Sequence, residues 1–311
     1  DDQEIYRTAD DIAGSARRDP LEAIRQALRE SQMGDSALAQ LETTLIAEVA
    51  EALREARAET PPVGAGEAKA PYPADFAARR EYRGDAAAPV LTMREALNAV
   101  LRDRLSQDRR VTLLGQDIED PKGDVFGVTR GLSTSFPGRV RNAPLTESTI
   151  VGTAIGRALA GERPVAFLQF ADFIPLAFNQ IISELGSMYW RTNGAWQCPV
   201  VLLVSCGGYK PGLGPFHAQT LESVLAHTPG IDVVMPSSAG DAAGLLNAAF
   251  ASGRPTVFLY PKSALNLADR RTSNDTADQF VRPGRARILT PGNDLTLVTW
   301  GNPVAQSLLA A

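Results

Sequence analysis

Asn142-Ala-Pro-Leu-Thr-Glu147-Ser-Thr-Ile-Val-Gly152-Thr-Ala-Ile-Gly156-Arg-Ala-Leu-Ala-Gly161 reads as a turn that delivers one carboxylate into a helix of small and apolar residues. Ala, Gly, Ile and Leu fill almost every helical position after Glu147, so this helix is expected to be buried on most sides. Directly after it comes Pro164-Val-Ala-Phe-Leu-Gln169, an apolar run of strand length. A buried helix followed by a buried strand is the repeating unit of a mainly parallel sheet covered on both faces. The nearest cation to Glu147 is Arg141, before the turn. A carboxylate there serves either a ligand or the helix dipole, which favours an N-terminal acid by about 0.3–1 kcal/mol. On this stretch alone the dipole account stands somewhat ahead.

The same texture continues outward. Thr92-Met-Arg-Glu95 is a capping box leading into Ala96, Leu97, Val100, Leu101 and Leu105. Arg110-Val-Thr-Leu-Leu114, Pro199-Val-Val-Leu-Leu-Val204, Ile231-Asp-Val-Val-Met235 and Thr256-Val-Phe-Leu-Tyr260 read as further strands. Between them lie a loop-like region at 120–140 and a helical stripe of Phe178, Ile181, Ile182, Leu185, Met188 and Tyr189. A short helix at Val224 and Leu225 follows, then a longer one from Ala239 to Phe250. The expected fold class is therefore α/β with a mainly parallel sheet, and its ligands belong at the carboxyl ends of the strands. Arg285–Leu289 and Leu295–Trp300 read as strands opening a further α/β domain at 282–311, with a helix from Pro303 to Ala311.

Residues 1–60 read as a pair of amphipathic helices. Asp19-Pro20 opens one, and Leu38, Leu41, Leu45, Val49 and Leu53 mark a stripe on the other. Residues 61–90 read as a Pro-, Gly- and Ala-containing linker. The chain has 311 residues, 44 % apolar and 22 % charged, which suits about two soluble domains. A net charge of −5 without a basic run argues against nucleic acid and anionic membrane as partners. Two cysteines suit a reducing cytoplasm, and two histidines make a histidine metal site improbable. The sequence opens Asp-Asp-Gln-Glu without an initiator Met and stops inside an apparent helix, so a fragment of a longer chain is expected.

Four groups fall at strand ends: Glu147, the run Gln169-Phe-Ala-Asp-Phe173, the loop Gly207 to His217, and Pro261-Lys262-Ser263. Each has a plain alternative. Phe173 is as easily core, His217 a satisfied helix-start histidine, and the glycine run a loop matching neither phosphate fingerprint. Their joint arrival on strand ends is what favours a site.

Leu91 to about Arg271 resembles the pyrimidine-binding domain of the beta subunit of thiamine-diphosphate-dependent 2-oxo acid dehydrogenases. The resemblance is carried by Pro144-Leu-Thr-Glu147 with Gly152-Thr-Ala-Ile-Gly156, by Gln169-Phe-Ala-Asp-Phe173, and by His217-Ala-Gln219 with Glu222. Ala226-His-Thr-Pro-Gly230 and Val234-Met-Pro236 add to it. Residues 1–60 are similar to the C-terminal end of the alpha subunit, through Asp1-Asp2, Tyr6-Arg7 and Arg18-Asp19-Pro20. Leu295 to Asn302 resembles the opening of the beta subunit's C-terminal domain.

The resemblance implies a transketolase-like fold and thiamine diphosphate as cofactor. It implies that Glu147 bonds the aminopyrimidine, Phe173 stacks on it, Gln169 lines its pocket and His217 faces the 2-oxo acid or lipoyl group. A buried Glu suits that work because burial favours the protonated carboxyl. The chain carries no Gly-Asp-Gly motif followed by Asn, so Mg2+ and the diphosphate are expected on an alpha-subunit-like part upstream of residue 1. The implied assembly is a homodimer of fused chains or an alpha2beta2-like tetramer, serving a lipoyl acyltransferase component. The implied reaction is decarboxylation of a 2-oxo acid with acyl transfer to lipoyl. The alternatives are a thiamine-dependent carboligase and a non-catalytic assembly subunit. Two departures stand out: many beta subunits carry a carboxylate where this chain has Gln116, and His-Ser-Gln is His217-Ala218-Gln219 here, with Lys210 and Pro215 in the preceding loop.

Overall fold

The computed structural model describes residues 5–60 and 69–311. The chain divides into two compact units, Asp1–Ala65 and Gly66–Ala311. Among the described residues no helix is long and apolar enough to cross a membrane.

The first unit is helical, as its apolar spacing predicts: α1 (Ala9–Ala16), α2 (Pro20–Glu30) and α3 (Asp35–Ala58). Thr8 and Asp11 form a capping box on α1, and Asp19 caps α2 by accepting from the Leu21 N–H at 2.8 Å, with Pro20 in the first turn. Only Leu38 is buried among the apolar side chains described in this unit; Leu45, Val49 and Leu53 of the same stripe are exposed. The Asp1-Asp2 pair and residues 61–68 of the expected linker lie outside the described residues.

In the second unit α4 (Met93–Gln107) leads into β1 (Val111–Gly115), then α5 (Leu132–Ser135), β2 (Val140–Asn142), α6 (Glu147–Leu159) and β3 (Arg163–Leu168). After β3 comes a 3-10 segment (Ala171–Ala177), and the helix expected from Phe178 to Tyr189 is instead a π-helical segment (Asn179–Leu185) and the single turn α7 (Met188–Arg191). The break falls at Gly186-Ser187, and glycine is a poor helix-interior residue. β4 (Val201–Cys206), α8 (Glu222–Ala226), β5 (Asp232–Val234), α9 (Ala239–Ser252), β6 (Thr256–Pro261) and α10 (Pro303–Ala310) complete the order.

The six strands form one sheet in the order β2-β1-β3-β4-β6-β5, every neighbouring pair parallel. Side-chain alternation sorts the strands into two layers. Val111, Leu113, Val165, Phe167, Val201, Leu203, Phe258 and Tyr260 pack with α4 and α9. Leu114, Ala166, Leu168, Leu202, Val204, Val257 and Leu259 pack with α6 and the 171–185 region. Each buried Leu or Val of this kind is worth about 1.5–3 kcal/mol. α6 is covered on one face only: Ile150, Val151, Ala154, Ile155 and Ala158 are buried, whereas Thr149, Thr153, Gly156 and Leu159 are exposed. The expectation of burial on most sides is corrected because small side chains shield little and the sheet lies along one side of the helix.

Residues 69–90, expected as linker, are tied to the sheet body. Lys69 and Tyr72 reach the Asp232 carboxylate at 2.8 and 3.3 Å, Tyr72 stacks on Phe76, and Tyr82 bridges Phe280. The expected strands at 285–289 and 295–300 are not formed. Alternation is necessary for a strand but pairing makes one, and Ile288, Leu295 and Val298 are exposed with no described strand alongside.

Candidate active site at the switch point of the sheet

From β1 the chain crosses to β2 on one side, and from β3 it proceeds to β4 on the other. The crevice at the carboxyl ends of β1 and β3 is thus the topological switch point, where open parallel sheets bind ligands. Gln116 follows β1, Gln169 follows β3, and Glu147 opens the helix after β2.

These three side chains form one buried chain of contacts. Gln116 Nε2 donates to Glu147 Oε1 at 3.1 Å, and Gln169 Nε2 donates across the crevice to the Gln116 main-chain carbonyl. Ser205 Oγ on β4 in turn donates to the Gln169 carbonyl. Glu147 is 6 % exposed, Gln116 3 % and Gln169 8 %. No Lys or Arg ion pair to Glu147 occurs among the described residues, so its burial is compensated by an amide rather than a cation. The Oε1 atoms of Gln116 and Gln169 are buried without a hydrogen-bond partner. An orphaned buried acceptor costs about 1–3 kcal/mol, so two of them beside a buried carboxylate point to an absent donor.

Phe173 and His217 make the second cluster. The His217 ring meets Phe170 at 4.8 Å and Phe173 at 5.8 Å between centroids, both edge-on. Phe170 meets Phe173 at 5.7 Å, and Phe126 bridges Phe170 and Tyr209 at 6.1 and 5.4 Å. The run Gln169-Phe170 joins the two clusters, since Gln169 belongs to the polar one and the neighbouring ring to the aromatic one. All four predicted residues, Glu147, Gln169, Phe173 and His217, therefore lie on one end of the sheet.

Asp172 and Lys262 belong to the strand-end groups read from sequence, where neither had a role, and Asp124 and Cys206 were outside them. Asp172 Oδ1 accepts from the Ala218 and Gln219 N–H groups at 3.0 and 3.1 Å, while its Oδ2 is buried without a partner. Lys262, 5 % exposed, donates to the His217 carbonyl at 2.6 Å and lies 4.6 Å from the Phe170 ring centre. Burial pushes the Lys262 ammonium below its ordinary pKa, and the nearby Asp172 and Cys206 act the other way. Burial likewise pushes the Cys206 thiol up to about 12, leaving it without nucleophilic character. Asp124, in the loop that carries Phe126, is pushed up to about 6 by burial, against hydrogen bonds from the Phe126 and Val128 N–H groups. The available signal was a charged residue just past an apolar strand, which marks Lys262 and Asp172 but not their partners.

Residues 90–267 match the family model of the transketolase pyrimidine-binding domain. The chain is 41 % identical over 224 residues to the 2-oxoisovalerate dehydrogenase subunit beta of Bacillus subtilis, covering 71 % of this chain and 67 % of that protein. It is 40 % identical over 222 residues to the pyruvate dehydrogenase E1 component subunit beta of Leifsonia xyli, covering 71 % and 64 %. A solved split-gene transketolase, described as an inactive beta4 tetramer, shares the fold with a TM-score of 0.55 at 22 % identity, over 71 % of this chain and 66 % of that one. The chain thus spans about two thirds of the length of these relatives. With a switch-point site on an all-parallel sheet and these matches over most of its length, the chain belongs to the transketolase pyrimidine-binding family, in the group of 2-oxo acid dehydrogenase beta subunits.

Proposed function

We propose that this chain supplies the aminopyrimidine half of the active site of a thiamine-diphosphate-dependent 2-oxo acid dehydrogenase. The observation that carries the reading is the buried Glu147 carboxylate, bonded by Gln116 and flanked by the two orphaned amide oxygens. This donor and acceptor set fits an aminopyrimidine. Its exocyclic amino group offers N–H donors to the orphaned oxygens, and a ring nitrogen pairs with a carboxyl. When bound, thiamine diphosphate supplies the carbanion chemistry that cleaves the bond to the 2-oxo acid carboxylate.

The protein's own residues place and tune. Glu147 holds or releases a proton at the pyrimidine nitrogen, and its position at the start of α6 fixes it against the sheet. Gln169 lines the pocket and Phe173 offers a ring face to a flat heterocycle. His217, half-buried on its loop, donates a hydrogen bond or proton toward the 2-oxo acid or the acyl acceptor. Gln116 cannot exchange a proton as a carboxylate does; its contribution is to orient Glu147.

The names of the relatives favour the dehydrogenase over a carboligase or a non-catalytic subunit. On this reading an alpha-like part, fused upstream, supplies Mg2+ and the diphosphate ligands. The full assembly is a fused homodimer or alpha2beta2-like tetramer that passes its acyl group to a lipoyl acyltransferase in the cytoplasm. The domain division 1–60, 61–90, 91–271 and 282–311 belongs to the same proposal. Glu147→Gln in the assembled protein is expected to lower kcat by about 10²–10⁴-fold, the range for removing a positioned acid or base. Retention of normal 2-oxo acid decarboxylation by that variant would defeat the proposal.

A further inference from the structure

The peptide group between His217 and Ala218 is gripped at both ends. Its carbonyl oxygen accepts from Lys262 Nζ at 2.6 Å, and its N–H donates to Asp172 Oδ1 at 3.0 Å. The same carboxylate oxygen accepts from the next N–H, Gln219, at 3.1 Å. A cation therefore sits at the negative end of this peptide dipole and an anion at its positive end. Neither grip comes from the loop itself: Lys262 follows β6 and Asp172 follows β3, the two strands that flank β4 in the sheet. Within the loop between β4 and α8 the Gly207 N–H donates to the Gln219 carbonyl at 2.9 Å and Gln219 Nε2 donates to the Pro215 carbonyl at 2.6 Å.

Lys262 is an unusual choice for a structural tie. It is 5 % exposed and forms no ion pair within 4 Å among the described residues, and its remaining contacts are the faces of Phe170 and Tyr209 at 4.6 and 5.8 Å. A buried ammonium bonded to one carbonyl and set against two rings, with the Asp172 carboxylate near but beyond ion-pair distance, is costly to desolvate. A neutral amide would tie a loop at lower cost. What the charge adds is orientation of one peptide plane, and the side chain on that peptide is His217.

We propose that Lys262 and Asp172 are positioning residues for His217, clamping its peptide so that the imidazole stays against Phe170 and Phe173. This inference rests on the assignment of His217 to the 2-oxo acid and acyl-acceptor side of the site. It goes beyond that assignment by naming what fixes the histidine and predicting which step depends on it. The clamp holds the His217 loop and leaves Glu147 and Gln116, the pyrimidine end, untouched.

The test uses the assembled, cofactor-loaded protein and Lys262→Met, which keeps length and removes charge. Three quantities are measured: hydrogen exchange at the Ala218 and Gln219 amides, the Kd for thiamine diphosphate by titration calorimetry, and kcat and KM for the 2-oxo acid. The expected result is exchange faster by about tenfold or more, as for loss of one hydrogen bond to a charged group, with kcat/KM lowered in parallel and the cofactor Kd unchanged. Unchanged exchange overturns the proposal. So does a cofactor Kd that weakens in step with kcat/KM, because a general structural defect would do that. If Lys262→Met does not fold, Asp172→Ala removes the acceptor of both N–H groups, cuts the clamp from the other side and is read by the same three quantities. Failure of the functional reading is distinct: the unsubstituted protein then shows no thiamine-dependent decarboxylation, and amide exchange alone decides the clamp.

Discussion

Asp124 makes the stability of this domain depend on pH in a direction opposite to most carboxylates. It is 3 % exposed, with its backbone in the left-handed region at φ 73°. Its two oxygens accept from the Phe126 and Val128 N–H groups at 3.3 and 3.2 Å. Burial outweighs these bonds and lifts the carboxyl from 3.8 to about 6. The folded protein therefore holds a proton that the unfolded chain has already lost between those two values. The stabilisation from this proton is full below pH 3.8 and is lost as pH rises through 6. A rise of this size corresponds to about 3 kcal/mol. In Asp124→Asn the group is neutral at every pH, but one N–H loses its acceptor, at a cost of about 1 kcal/mol. The variant is expected to be less stable than the parent by about 1 kcal/mol near pH 4 and more stable by about 2 kcal/mol above pH 7. Urea unfolding of both proteins at several pH values, followed by circular dichroism, gives the difference directly. Asp120, which Gly131, Thr134 and Ser133 hold below the ordinary carboxylate range despite some burial, loses its stabilisation as pH falls and cancels in that difference. A difference that does not change between pH 4 and 7, or that falls, would refute the reasoning.

Two further outcomes test the packing that carries the site. Leu203 is fully buried on the central strand β4, so Leu203→Ala is expected to cost about 2–5 kcal/mol by urea unfolding. Gly240, in the first turn of α9, has the Arg83 carbonyl oxygen 2.1 Å from where a Cβ would lie. Gly240→Ala is expected to destabilise by about 1–3 kcal/mol although alanine favours helix by about 1 kcal/mol. A gain in melting temperature would show that the 69–90 segment yields without cost.

How much of this was legible in sequence follows from what sequence can encode. The apolar runs of β1, β3, β4, β5 and β6 were long enough to read, because a strand buried on both faces needs nothing but apolar residues. β2, three residues with only Val140 buried, carried no such signal. The order β2-β1-β3-β4-β6-β5 was equally silent, since register between strands is decided by helix packing across the layers. The reverse error at 285–289 and 295–300 has the same root: the pattern of a strand was present and its pairing was not. Glu147 was legible as a carboxylate at the mouth of a helix, and its companions Gln169, Phe173 and His217 as residues just past strands. Local caps on main-chain N–H groups, such as Asp19, were legible, but ties to main-chain atoms far along the chain were not. Lys262 bonds a carbonyl 45 residues away, and Asp172 an N–H 46 residues away. Every residue presents the same carbonyl and N–H, so no side-chain pattern marks which of them a buried charge will seek. Only the adjacency of β3, β4 and β6 brings Asp172 and Lys262 to opposite ends of one peptide. The chemistry of such a site is therefore visible in its side chains, while its positioning is visible only in the fold.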